Sequence, residues 1–117
     1  MGSETIKIYI PIEVKRAKVE NFRAVDNFKM TCAEYMDSVS VYDVTKYYRE
    51  GNHTVVIKQC ECIELLGRIS WFKDNIRTEA TKLALELGMN HIHLEVNDNN
   101  ESITSEEIQS YNKNLKE

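Results

Sequence analysis

Between Ser70 and Val96 the chain changes period once, and that change limits the folds open to it. Phe72, Ile76, Ala80, Leu83, Ala84 and Leu87 recur at helical spacing. Gly88 then offers a left-handed stop, and Ile92, Leu94 and Val96 alternate with His91, His93 and Glu95 as in a half-buried strand. A helix with one apolar stripe has to cover something, and a strand with one apolar face has to be covered, so the segment calls for helices packed on a sheet.

The flanking segments extend this reading. Thr54 to Leu66 carries Val55, Ile57 and Ile63 on one parity and Val56, Cys60 and Cys62 on the other, which suits a central strand ended by Gly67. Strand, helix and strand then form a βαβ unit with its two strands parallel. Toward the N-terminus, Ile6, Ile8, Ile10, Ile12 and Val14 share one face of a strand from Thr5 to Val14. Pro11 cannot donate to a ladder, so this strand is expected at an edge or with a bulge, and an edge invites a second copy of the chain. Phe28, Met30 and Cys32 alternate with Lys29, Thr31 and Ala33 and predict another strand, after a turn at Asp26-Asn27. From Ser40 to Arg49 the spacing of Val41, Val44, Tyr47 and Tyr48 predicts a short helix, with Ser40 as N-cap and Gly51 beyond its end. Asn97, Asp98, Asn99, Asn100 and Glu101 form a polar linker, after which Thr104 and Glu107 fit a capping box. Ile108, Tyr111 and Leu115 supply a thin apolar stripe for a terminal helix. The expected fold is therefore α+β: N-terminal antiparallel strands followed by a short helix, a βαβ unit and a C-terminal helix. Residues 1–97 are expected to form one domain, with 98–117 as linker and terminal helix docking on that domain or on a partner subunit.

Composition narrows the function classes. With 117 residues, 42% of them hydrophobic, the chain suits a single core. The net charge of −4 is mild and not strongly segregated, which disfavours a general nucleic-acid surface. Cys32, Cys60 and Cys62 cannot all pair within one chain, and neither a secretory signal nor an apolar run of about 20 residues is present. A cytoplasmic protein without membrane contact is expected. A bias toward Asn, Lys, Glu, Ile and Tyr, with a single Pro, points to an AT-rich bacterial or phage genome.

Three clusters could carry chemistry. Arg68, Trp71, Phe72, Lys73 and Arg77 open the long helix, where guanidinium groups, flat rings and free N–H groups suit a nucleotide-like anion. Lys15, Arg16 and Lys18, in a basic run reaching Arg23, could add charge to such a site. Tyr35, Tyr42, Tyr47 and Tyr48 could form a partner-binding face, since tyrosine is enriched at interfaces. Cys60-x-Cys62 and His91-x-His93 each direct two ligands to one side of a strand and together would suit zinc. Plainer readings weigh more in each case: Phe72 and Trp71 anchor the helix, one tyrosine closes the core, and the cysteines are small buried hydrophobes with the histidines on the outer sheet face. For acid–base work the histidines would need Glu95, His53 or Glu50 within reach, and no complete catalytic constellation or phosphate loop is legible. The expectation is a small non-catalytic binding protein, phage- or prophage-encoded, without a cofactor, that forms a homodimer or larger assembly. It would sequester a compact anionic nucleotide-like ligand or bind and inhibit a partner protein. A metal-binding protein or small hydrolase using Cys60, Cys62, His91 and His93 is the alternative.

Overall fold

The computed structural model describes residues 4–51 and 54–115, apart from the side chains of Tyr48 and Glu50. In chain order the elements are β1 (Glu4–Pro11), α1 (Ile12–Arg16), α2 (Val19–Tyr35), β2 (Ser38–Glu50), β3 (Thr54–Gly67), α3 (Ile69–Leu87), β4 (Ile92–Val96), β5 (Asn99–Ile103) and α4 (Ser105–Leu115). The strands form one sheet in the order β2-β3-β1-β4-β5, with every neighbouring pair antiparallel. The class is α+β, as the sequence implies, and α3 stops at Gly88 in the left-handed region at φ 69°.

β1 is central, contrary to the edge position inferred from Pro11. Its register with β3 runs from Glu4↔Gly67 to Pro11↔Cys60, and on its other side Ile6 to Tyr9 pair with Val96 to His93. Pro11 closes the strand, so its missing N–H interrupts no ladder interior, and Ile12 and Val14 fall in α1 instead. β3 and β4 run in the same direction, as the βαβ reading predicts, but β1 is inserted between them. The unit is split, and strands that local patterning makes neighbours are separated by the strand with the longest apolar run.

Two segments differ in kind from their patterning. Residues 28–32 belong to α2, whose buried positions are Asn21, Ala24, Val25, Phe28 and Cys32, a helical series. Phe28 and Cys32 satisfy both periods, and Met30, 70% exposed, is the residue that does not belong to the apolar set. Asp26-Asn27 lies within the same helix. The opposite correction applies to Ser40–Arg49: it is part of β2, paired with β3 from Ser38↔Leu66 to Glu50↔Thr54. Its Val, Tyr and Thr content is the signal that outweighs the accidental helical spacing. The segment taken for a polar linker also folds differently. Asn97 (φ 50°) and Asp98 (φ 68°) form a two-residue turn with both φ values positive, the geometry that matches hairpin twist, and residues 99–103 return as β5.

The helices cover one face of the sheet. Ile6, Ile8, Ile10, Ile63, Leu65, Ile92 and Leu94 meet Val25, Phe28, Ile76, Ala80 and Ala84 in one buried cluster, which Ile108 of α4 joins. Thr104 Oγ1 accepts from the Glu107 N–H at 3.2 Å, so half of the predicted capping box forms. The Glu107 carboxylate turns instead to Arg77 at 2.8 Å.

Candidate functional site

The uncovered face of the sheet presents the alternate residues of the same strands. Tyr9, Cys60 and Cys62 form a second buried cluster with Val44 packed on it. Above it opens a cavity of about 400 Å³, lined by Tyr9, Pro11, Lys46, Lys58, Cys60, Met89, His91, His93, Asn100 and Ser102. Every strand contributes, because period-two alternation that buries Ile8, Ile10 and Ile92 must turn Tyr9, Pro11 and His93 the other way.

The cavity floor is ordered by ring and charge contacts. Tyr9 stacks on His93 with centroids 5.4 Å apart. Lys46 Nζ lies 3.7 Å from the Tyr9 centroid and 3.6 Å from Glu95 Oε1, so a side chain from the edge strand reaches across β3 and β1 to β4. Cys60 is the small residue on β3 near this path, paired in register with Val44 and Pro11. Partial burial, and then the nearby Lys46 charge, hold the His93 imidazole below its ordinary value, although Glu95 at 4.0 Å pulls the other way. Burial raises both thiols on this face, so Cys60 and Cys62 stay protonated and behave as the small hydrophobes of the plainer reading.

The four zinc ligands that the sequence suggests share this face but not a site. Tyr9 pairs in register with Cys62 on one side and His93 on the other, so β1 stands between the two pairs. Among the described residues, no three His, Cys, Asp or Glu side chains converge on a metal position. His53 lies outside the described residues, as does the Glu50 side chain.

The predicted anion site is divided. Arg68 and Trp71 flank the start of α3, where Ser70 meets Glu4 at the beginning of β1; Lys73 and Arg77 lean on β5 and α4, and Lys15, Arg16 and Lys18 follow the far end of β1, so the groups do not form one site. Their charges are also engaged. Glu4 Oε1 accepts the Ser70 N–H at 3.2 Å, which places a carboxylate from β1 at the N-terminus of α3 where a ligand anion would sit. Hydrogen bonds from Asn97 and then Ser70 hold the Glu4 carboxyl below its ordinary value. Lys73 pairs with Glu101 at 3.2 Å, and Arg77 meets Glu101, Glu107 and the Ser102 carbonyl oxygen. Arg68 stacks over the exposed Trp71 at 4.5 Å, and Phe72 packs on Tyr35. Lys15 turns under the sheet to Glu61 at 2.6 Å, where Lys29 meets the other carboxylate oxygen at 2.6 Å. Arg16 and Lys18 line a shallow surface hollow with Val19, Phe22 and Arg23.

The tyrosines do not share a face. Tyr35 ends α2, Tyr42 and Tyr47 point to opposite sides of β2 by parity, and the Tyr48 side chain is outside the described set. The residues that the sequence reading missed are Tyr9, Lys46, Lys58, Met89, Asn100 and Ser102. The polar alternation of β1 marks the Tyr9 face, but nothing local shows that β2 and β5 close on it.

No helix among the described residues is long and apolar enough to cross a membrane. No family model and no curated protein sequence matches the chain. Among solved structures, a phage SAM lyase in complex with S-methyl-5'-thioadenosine aligns with TM-score 0.59 at 13% identity, over 90% of this chain and 92% of that one. The apo form of a phage SAM lyase aligns with TM-score 0.54 at 13% identity, over 89% of each chain. At this identity the likeness is one of fold: the five-stranded antiparallel sheet with its helices is an arrangement also used by a phage protein.

Proposed function

We propose that this chain is a phage-type binding protein that takes a compact nucleotide-like ligand in the cavity on the open face of the sheet. The carrying observation is the cavity itself: about 400 Å³, within the range of small-molecule sites, with Tyr9, Pro11, Cys60 and Met89 as apolar surface and a few polar groups around them. A stacked Tyr9–His93 pair offers a flat surface of the sort a purine can lie against. The sharing of fold with a protein bound to S-methyl-5'-thioadenosine supports a nucleoside moiety.

Binding without catalysis is the reading adopted. The fold likeness to a lyase favours a second one, cleavage of SAM. Lys46 and Lys58 in the lining oppose it, because SAM brings a sulfonium and an α-ammonium beside its one carboxylate, a net positive charge facing two more cations. Titration of the full chain with S-methyl-5'-thioadenosine and with SAM, followed by calorimetry and by mass spectrometry of the mixture, tests both. Saturable binding weakened by His93→Ala and Asn100→Ala supports the proposal. Absence of heat up to millimolar ligand would remove it, and accumulation of S-methyl-5'-thioadenosine from SAM would replace it with the lyase reading.

Self-association belongs to the same proposal. β2 and β5 are the open edges, and the β2–β3 ribbon extends beyond β1 with Tyr47, Val55 and Ile57 each more than half exposed. A monomeric mass at micromolar concentration contradicts it.

A further inference from the structure

Two lysines face each other directly in the cavity wall. Lys46 of β2 is the register partner of Lys58 of β3, both are half-buried, and both line the cavity. Like charges directly opposite on an antiparallel pair repel, and partial burial strengthens the repulsion. Glu95 reaches Lys46 alone, at 3.6 Å, which is an ion contact longer than a hydrogen bond. Lys58 has no ion pair among the described residues. Two cations thus line one cavity, and among the described residues only Lys46 has a carboxylate within ion-pair distance.

The opposite wall differs. There the lining comes from Asn100 and Ser102 of β5, neutral groups that can donate and accept, beside the imidazoles of β4 and the thioether of Met89. Lys58 on β3 and the β5 side chains stand on opposite sides of Tyr9, while the Lys46 ammonium reaches over the Tyr9 ring toward β4. The β5 side of the cavity is thus neutral, and its cations come from β3 and from the lysine that lies over the aromatic floor.

From this arrangement we infer that Lys46 and Lys58 form an acid subsite: the cavity selects nucleosides that carry a phosphate or carboxylate, seated against these two lysines, with the base toward Asn100 and Ser102. This rests on the nucleotide-like reading above and assigns its orientation and its specificity-determining residues. An entering acid relieves the Lys46–Lys58 repulsion, and Lys46 exchanges its long contact with Glu95 for shorter charge-assisted hydrogen bonds. Phosphate and carboxylate share this chemistry; the ligand series separates them.

Calorimetric titration of the full chain with S-methyl-5'-thioadenosine, adenosine 5'-monophosphate and S-adenosylhomocysteine tests the assignment. At least one of the two ligands that carry an acid group, the monophosphate or the zwitterionic S-adenosylhomocysteine, is expected to bind about tenfold tighter than S-methyl-5'-thioadenosine, which carries none. Whichever of them does so identifies the preferred acid. In Lys58→Ala that gap should shrink to about twofold or less, while the ligand-free melting temperature stays level or rises because a repulsion has been removed. Lys46→Met, which keeps the apolar stem, should narrow the gap similarly. Equal affinity for neutral and acidic ligands, or a gap unchanged in both variants, overturns the acid subsite and leaves the nucleoside site standing. Failure of all three ligands to bind overturns the nucleoside site and this assignment with it.

Discussion

The two faces of the sheet are made by the same strands and treat charge in opposite ways. On the covered face a single carboxylate, Glu61, is 6% exposed and is met by two lysines at 2.6 Å each, from α1 and α2. Burial pushes its carboxyl up, and the hydrogen bonds and charges of Lys15 and Lys29 overcome that, so the group is held below its ordinary value. On the open face the count is the same, two lysines and one carboxylate, but Lys46 and Lys58 are register partners and Glu95 reaches only one of them. The carboxylate that ties helices to the sheet has a cation beside each oxygen; of the lysines that line the cavity, only Lys46 has a carboxylate within ion-pair distance among the described residues. The difference separates a carboxylate held at both oxygens from lysines that line a cavity.

This contrast predicts a ranking of effects. Ile8→Ala, at a fully buried position of the central strand, should cost about 3 kcal/mol in urea unfolding, the usual range for a core truncation. A cost below about 1 kcal/mol would mean that the covered face is loosely packed. Glu61→Gln leaves Lys15 and Lys29 without their carboxylate and should cost roughly 2 kcal/mol, reduced from the fully buried case because both lysines keep some water contact. A neutral result there would make the triad ornamental. Lys46→Met on the open face should change stability by less than about 0.5 kcal/mol, since the lost Glu95 and Tyr9 contacts are offset by relief of the Lys58 repulsion.

Acid should destabilise the two faces in separate windows. Glu61 has a lowered folded value, so its stabilisation is complete above its ordinary 4.5 and is lost as pH falls through the lower folded value. His93 is also lowered, so the unfolded chain takes up that proton first, and stability begins to fall as pH drops below the ordinary 6.5. Unfolding midpoints measured from pH 8 to 3 should show two limbs. His93→Gln should remove the upper one and leave the lower, and persistence of both limbs would place the upper titration elsewhere.

Local patterning made α3 and β4 legible because each has a long, clean period and an unambiguous stop at Gly88. It failed where two periods fit the same residues. Val41, Val44 and Tyr47 carry helical spacing, yet a 13-residue register with β3 makes them strand, and Phe28 with Cys32 fits either period until Met30 is seen to face solvent. The outer-face placement of His93, opposite buried Ile92 and Leu94, followed from alternation alone. Its neighbours did not.

The amino-acid order by itself determined the element type of the strongly periodic segments and which side of β1 and β4 turns inward, since side-chain direction is set by local backbone geometry. Tertiary structure alone decided that β1 lies between β3 and β4, that Glu4 occupies the α3 N-terminus, and that Lys46 meets Tyr9 and Glu95. Those outcomes depend on strand order and register, which arise from burying all the isoleucine faces under one helical layer at once. No short stretch of chain contains that requirement, so the cavity it creates could not be read from any one of them.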